Sequence, residues 1–315
     1  MDFNYPLEIG LLAPLVLVFI LIPFGAAVIA LGSEFIAQTG NRLADKFAQQ
    51  MARMGSFLGL TIFMAVCILA FVAWKTEGLT RSFNELHFLL FRIAPGLFTG
   101  SILLIVYWGT WKKLKQNKPA HACLGAMGMG LLGLFMFIFL GSITGRIPIS
   151  EIADLPEPGS LIYPLILQWI FFSILAAANI GFIYLLLRRN IDDFGRDYYK
   201  YALKLCAKWS LYGLILGFVP CIWTTIIIWP DFNFQPIIVP GTATLISAAF
   251  ILLCSITLQK TPHPLRFKGM IALSQVFLWL LFAARMTAHL EFMNMLPEYP
   301  KTVTFSTELI KIILN

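Results

Sequence analysis

Eight stretches of this chain run for about 20 residues or more with almost no charge, enough to cross about 30 Å of hydrocarbon. They are Leu11–Leu31, Ser56–Trp74, Phe88–Trp111, Pro119–Gly145, Ser160–Leu187, Trp209–Trp229, Pro236–Gln259 and Phe267–Leu290. Such a pattern leaves few folds open, because backbone groups in lipid must bond within their own segment or within a closed barrel. Runs of this length predict an all-α integral membrane protein with eight transmembrane helices. The composition agrees: of 315 residues, 59% are hydrophobic and 12% charged, against about a quarter charged in a soluble domain. The N-terminus has no basic segment before its apolar run, so the first span is expected to stay uncleaved.

The net charge of +7 reads as membrane orientation and lipid contact, not as nucleic-acid binding, because the bases cluster in alternate loops. Lys112, Lys113, Lys115 and Lys118 follow the third span, and Lys260, Arg266 and Lys268 lie between the seventh and eighth. Glu151, Asp154, Glu157 and Asp231 fall in the opposite loops. The positive-inside rule then puts both termini outside. The five cysteines form no CxxC pair, which argues against a disulfide framework, an iron–sulfur cluster or covalent haem.

The two halves share a layout. The first and fifth spans are each followed by a long polar connector, Glu34–Met54 and Arg188–Lys208. Each carries an amphipathic stripe: Leu43, Phe47, Met51 and Met54 in one, Ile191, Phe194, Tyr198 and Leu205 in the other. His121 and His263 sit beside prolines in the corresponding basic turns and are read as interfacial polar residues, with Glu34 solvated nearby. Four spans per half give a parallel repeat, so two four-helix bundles side by side are expected, residues 1–147 and 148–315 with a short outer C-terminal tail. Ala122, Ala126 and Gly130 recur every fourth residue on the fourth span and offer a small-residue packing face, with Gly125, Gly128 and Gly133 as further small positions. Met127 and Met129 are read as core, and Asn179 and Gln275 as hydrogen-bonding links between helices.

Ile22-Pro23-Phe24-Gly25, Ser33-Glu34, Thr39-Gly40-Asn41 and Tyr107-Trp108-Gly109-Thr110-Trp111-Lys112-Lys113-Leu114, with Tyr184-Leu185-Leu186-Leu187-Arg188 in the second half, carry a family resemblance. With the topology, they resemble subunit I of cytochrome bd-type quinol oxidases, best over the first 145 residues. That resemblance implies a place in a bacterial respiratory electron-transfer complex in the cytoplasmic membrane, beside cofactor-bearing partner subunits. The departures are specific. Val16–Ile20 lacks the family's haem-ligating His, and only Gln168 stands near its second one. The paired glutamates of the third helix, the long quinol loop and the Gly-Arg-Gln-Pro-Trp motif are absent. The family's oxygen reduction is therefore not part of what the resemblance implies here.

Four residues are the candidate site. His87 and Arg92 stand at the outer end of the third span, and Arg285 and His289 at the outer end of the eighth. At about 1.5 Å per residue, Arg92 rises about 30 Å above Lys112 and Arg285 about 26 Å above Lys268, so the pairs reach similar heights. Guanidinium and imidazole groups there suit a quinone headgroup, with Glu85 or Glu291 as proton acceptor. They also suit haem b, through imidazole ligation and propionate pairing. The plain alternative is interfacial residues whose tips snorkel to water, which fits Arg285 least because it sits inside an apolar run. Two other functions stay open: a solute transporter or channel with helices broken at Pro220, Pro240 and Gly241, and a cofactor-free scaffold.

Overall fold

The computed structural model describes residues 7–75, 80–114, 116–143, 162–192, 194–228 and 237–295. Among them the long regular elements are α1 (Leu7–Ala37), α2 (Arg42–Lys75), α3 (Thr80–Gly109), α4 (Lys118–Ile143), α5 (Ile162–Arg188), α6 (Arg196–Ile228), α7 (Ile238–Lys260) and α8 (Lys268–Met295). A single 3-10 turn, Pro264–Arg266, precedes α8, and no strand occurs among the described residues. Among the described residues seven helices are long and apolar enough to cross a membrane, and Ala94–Gly109 of α3 is a further apolar helical stretch. The chain is a multi-pass membrane protein. The acidic loop residues Glu151, Asp154, Glu157 and Asp231 and the C-terminal tail lie outside the described residues.

The polar connectors are not separate elements. They are the first turns of α2 and α6, which have 34 and 33 residues. Helices of that length reach about 50 Å, some 20 Å more than the hydrocarbon needs. Asn41 starts α2, its side-chain oxygen accepting from the Leu43 and Ala44 amides at 3.1 Å. The predicted stripes pack inward: Phe47, Met51, Met54, Tyr198 and Leu205 are buried. Ile191 departs from its stripe, because it lies in the turn before α6 and is exposed.

Helix α1 is the hub of the fold, lying against α2, α4, α5 and α8. Helix α3 packs on α2 and α4, α6 on α5 and α7, and α8 on α7, α1 and α5. The closest approach is between α1 and α5. A Cβ on Gly25 would stand 2.0 Å from the Ser173 carbonyl oxygen, so only hydrogen fits between the two backbones. The other side of α5 meets α6 in the same way: a Cβ on Gly213 would stand 2.5 Å from the Leu175 nitrogen, and one on Gly217 would meet the Phe172 ring at 2.2 Å. In lipid, where apolar surface gains little from leaving the solvent, such close packing drives association.

Three expectations are corrected. On α4, Gly125 and Gly128 make the close face, against Tyr107 and Leu104 of α3, while Ala126 and Gly130 are exposed. Met127 is also on the exposed side, at 55%; only Met129 packs against the core. Nor do the prolines break helices: Pro220 lies inside a continuous α6, and Pro240 and Gly241 fall in the first turns of α7. A ring at the start of a helix costs no hydrogen bond, because the first amides have no partner anyway.

Gly25→Ala is expected to lower stability by roughly 1–3 kcal/mol through overpacking. Gly130→Ala, at an open helical position, should raise it by up to about 1 kcal/mol. Thermal midpoints in one detergent check both.

Candidate functional site

Arg285 and His289 stand one turn apart on α8 and are each 8% exposed, so these two do not snorkel to water. Arg285 Nη2 donates to Gln168 Oε1 of α5 at 2.7 Å. Its Nε, and Nδ1 of His289, are buried and have no hydrogen-bond partner among the described residues. The His289 ring lies 6.5 Å from Trp169, whose own ring is 5.6 Å from Phe282 and 6.2 Å from Phe172. Trp169 thus stands beside the His289 imidazole, within an aromatic group it forms with Phe282 and Phe172. A buried polar group left unpaired costs about 1–3 kcal/mol, so both nitrogens are open to a further hydrogen bond.

The partner of Arg285 is therefore Gln168, which the sequence places only near the family's second haem-ligand position. His87 and Arg92 belong to α3 by backbone, and their side chains, like those of Glu85 and Glu291, lie outside the described residues. Among the described residues, no group of three or more His, Cys, Asp or Glu side chains converges as a metal site.

The other end of the molecule holds a polar cluster that the sequence reading had as solvated. Glu34 and His121 are each 1% exposed. Tyr107 donates its hydroxyl to Glu34 Oε2 at 2.6 Å, and His121 Nδ1 is 2.7 Å from Glu34 Oε1. His121 Nε2 lies 2.8 Å from the Tyr107 carbonyl, which can only accept, so Nε2 bears a hydrogen. One further proton must then sit between Nδ1 and Oε1. Lys118 Nζ stands 3.5 Å from the same Oε1. Lys118 and Trp111 both reach Asp45 of α2, at 2.9 and 3.2 Å, so the cluster ties α1, α2, α3 and α4 together. The sign was present in the sequence: Phe35-Ile36-Ala37 continue the apolar pattern past Glu34, keeping it inside the helix. His263 is no counterpart of His121. It is exposed ahead of the 3-10 turn, whereas His121 lies in the first turn of α4.

Within the second half, Asn179 donates to Ser210 at 3.0 Å, Ser255 bonds Ser210 at 3.1 Å, and Gln275 donates to the Asn179 carbonyl at 3.1 Å. Asn179 and Gln275 are thus the interhelical links expected of them. Comparison with family models, curated proteins and solved structures gives no match for this chain.

Two stability comparisons follow from the pairings. Gln168→Leu strands the Arg285 charge and should cost about 3–5 kcal/mol. Arg285→Met removes the charge and should cost less, about 1–3 kcal/mol for the unpaired Gln168 oxygen. At the basic end, Glu34→Leu should cost about 3–5 kcal/mol by leaving buried His121 and Tyr107 without their partner. Tyr107→Phe, which removes one hydrogen bond, should cost about 1–2 kcal/mol. Denaturant midpoints of the purified variants check each order.

Proposed function

We propose that this chain is a membrane-anchoring subunit of a bacterial respiratory electron-transfer complex, contributing a quinone headgroup site near its outer face. In this reading it has two parallel four-helix units, both termini outside, and sits in the cytoplasmic membrane beside partners that carry the redox centres. The packing order supports the architecture: each of α1 to α4 touches the next and α4 returns to α1, as α8 returns to α5. The resemblance of the first half to subunit I of cytochrome bd-type quinol oxidases supports the setting.

The observation that carries the site is the pair of buried, unpartnered nitrogens, Arg285 Nε and His289 Nδ1, beside Gln168. They fit a flat ring with polar oxygens. Arg285 donates to one carbonyl oxygen, Gln168 holds the guanidinium in place, and Trp169 and Phe282 exclude water. His289 holds or receives the proton of the adjacent oxygen. A bound quinone would supply the two-electron chemistry, with electrons from the partner subunits. His87 and Arg92 lie on α3, which packs on α2 and α4, so the proposed site rests on Arg285, His289 and Gln168. Haem b on His87 or His289 is the second ligand to test, because imidazole and guanidinium also serve it.

The test joins two measurements on the purified chain. Short-chain benzoquinone or naphthoquinone should bind by calorimetry, and Arg285→Gln or His289→Phe should weaken binding at least about 10-fold, one lost charged hydrogen bond. A reduced-minus-oxidised spectrum with a pyridine haemochrome assay reports haem. Folded protein that binds neither quinone nor haem would leave a scaffold and overturn the site.

A further inference from the structure

Arg53 of α2 is half-buried, its guanidinium carbon 5.4 Å from the centre of the Trp108 ring and 5.8 Å from that of Phe57. Among the described residues no carboxylate pairs with it, whereas Lys118 and Arg188 have Asp45 and Asp192. It heads a stripe at helical spacing: Phe57, Thr61, Met64, Ile68 and Phe71 are all exposed. Such a stripe on a membrane helix faces acyl chains. Arg53 stands where the stripe ends, on the side of the lysine-rich turn Lys112–Lys113.

Helix α6 repeats the device. Lys208 lies 5.7 Å from the centre of the Tyr212 ring, four residues on, as Phe57 is four residues on from Arg53. Below it Tyr212, Leu216, Val219, Trp223 and Ile226 are exposed at the same spacing as the α2 stripe. No carboxylate pairs with Lys208 among the described residues. Each half thus presents a cation, an aromatic ring beneath it and an apolar track one acyl chain wide.

We propose that these are two quasi-equivalent sites for anionic phospholipids of the leaflet at the lysine-rich end. The phosphate pairs with Arg53 or Lys208 and the acyl chains lie along the stripes. The aromatic rings hold each cation at headgroup height, where a desolvated cation–π contact strengthens. Arg53 meets the phosphate through its planar fork and Lys208 as a point charge. A lipid occupant explains why the device recurs on α2 and α6: a bilayer surrounds both helices, while one partner subunit would cover one stripe. The inference does not depend on the quinone reading.

Native mass spectrometry of the full chain, titrated with phosphatidylglycerol or phosphatidylcholine of matched acyl chains, tests it. The wild type should hold two phosphatidylglycerol molecules about 5-fold more tightly than phosphatidylcholine, the effect of about one basic residue near a charged headgroup. Arg53→Gln should abolish the preference at one site and Lys208→Gln at the other, while Arg53→Lys keeps it. Thermal midpoints in phosphatidylcholine should fall only slightly, by the loss of one cation–aromatic site each, since neither side chain carries an ion pair among the described residues. Equal binding of the two lipids by the wild type would overturn the proposal. So would a preference that survives Arg53→Gln/Lys208→Gln, or displacement by millimolar inorganic phosphate, which would mark a plain anion site.

Discussion

Helix α5 is held between α1 and α6 by contacts that only hydrogen atoms can make, at Gly25 against the Ser173 carbonyl and at Gly213 against the Leu175 amide. Everything else in the arrangement depends on that backbone approach. It sets α1 and α5 at the centre, brings Gln168 to the level of Arg285, and leaves α2 and α6 with one face outward. Helices that share lipid as a solvent gain little by hiding apolar surface, so the depth of the glycine contacts decides which helices meet.

Polar groups gather at the two ends of this frame and differ in how they are satisfied. At the basic end Glu34, Tyr107 and His121 close on one another, leaving one shared proton and charges that cancel through Lys118 and Asp45. Such a cluster fixes geometry. At the other end Arg285 has one partner and a spare donor, and His289 faces it with a bare nitrogen. An unfinished hydrogen-bond set beside an aromatic group is suited to a ligand, and that asymmetry is why the proposed chemistry sits there.

The long helices α2 and α6 are alike in layout, while the polar residues near them differ. Helices α2 and α6 begin with the same amphipathic extension and carry the same cation–aromatic pair above an exposed stripe. His121 is buried against Glu34, while His263 is exposed and outside α8.

The amino-acid sequence alone determined the class of protein and where its helices run. Each predicted span lies within or close to an observed helix, because hydrocarbon thickness acts on local length and charge. It also named Arg285 and His289, since an arginine inside an apolar run needs an explanation wherever it points. What it could not supply was partnership. Gln168 meets Arg285 across 117 residues, His121 meets Glu34 across 87 and Tyr107 meets Glu34 across 73. On α4 the regular ladder Ala122, Ala126 and Gly130 is not the packing face, because packing against Tyr107 and Leu104 selects Gly125 and Gly128 instead. Apolar length is written in neighbouring residues; burial of a charge is decided by a distant helix that arrives only when the chain has folded.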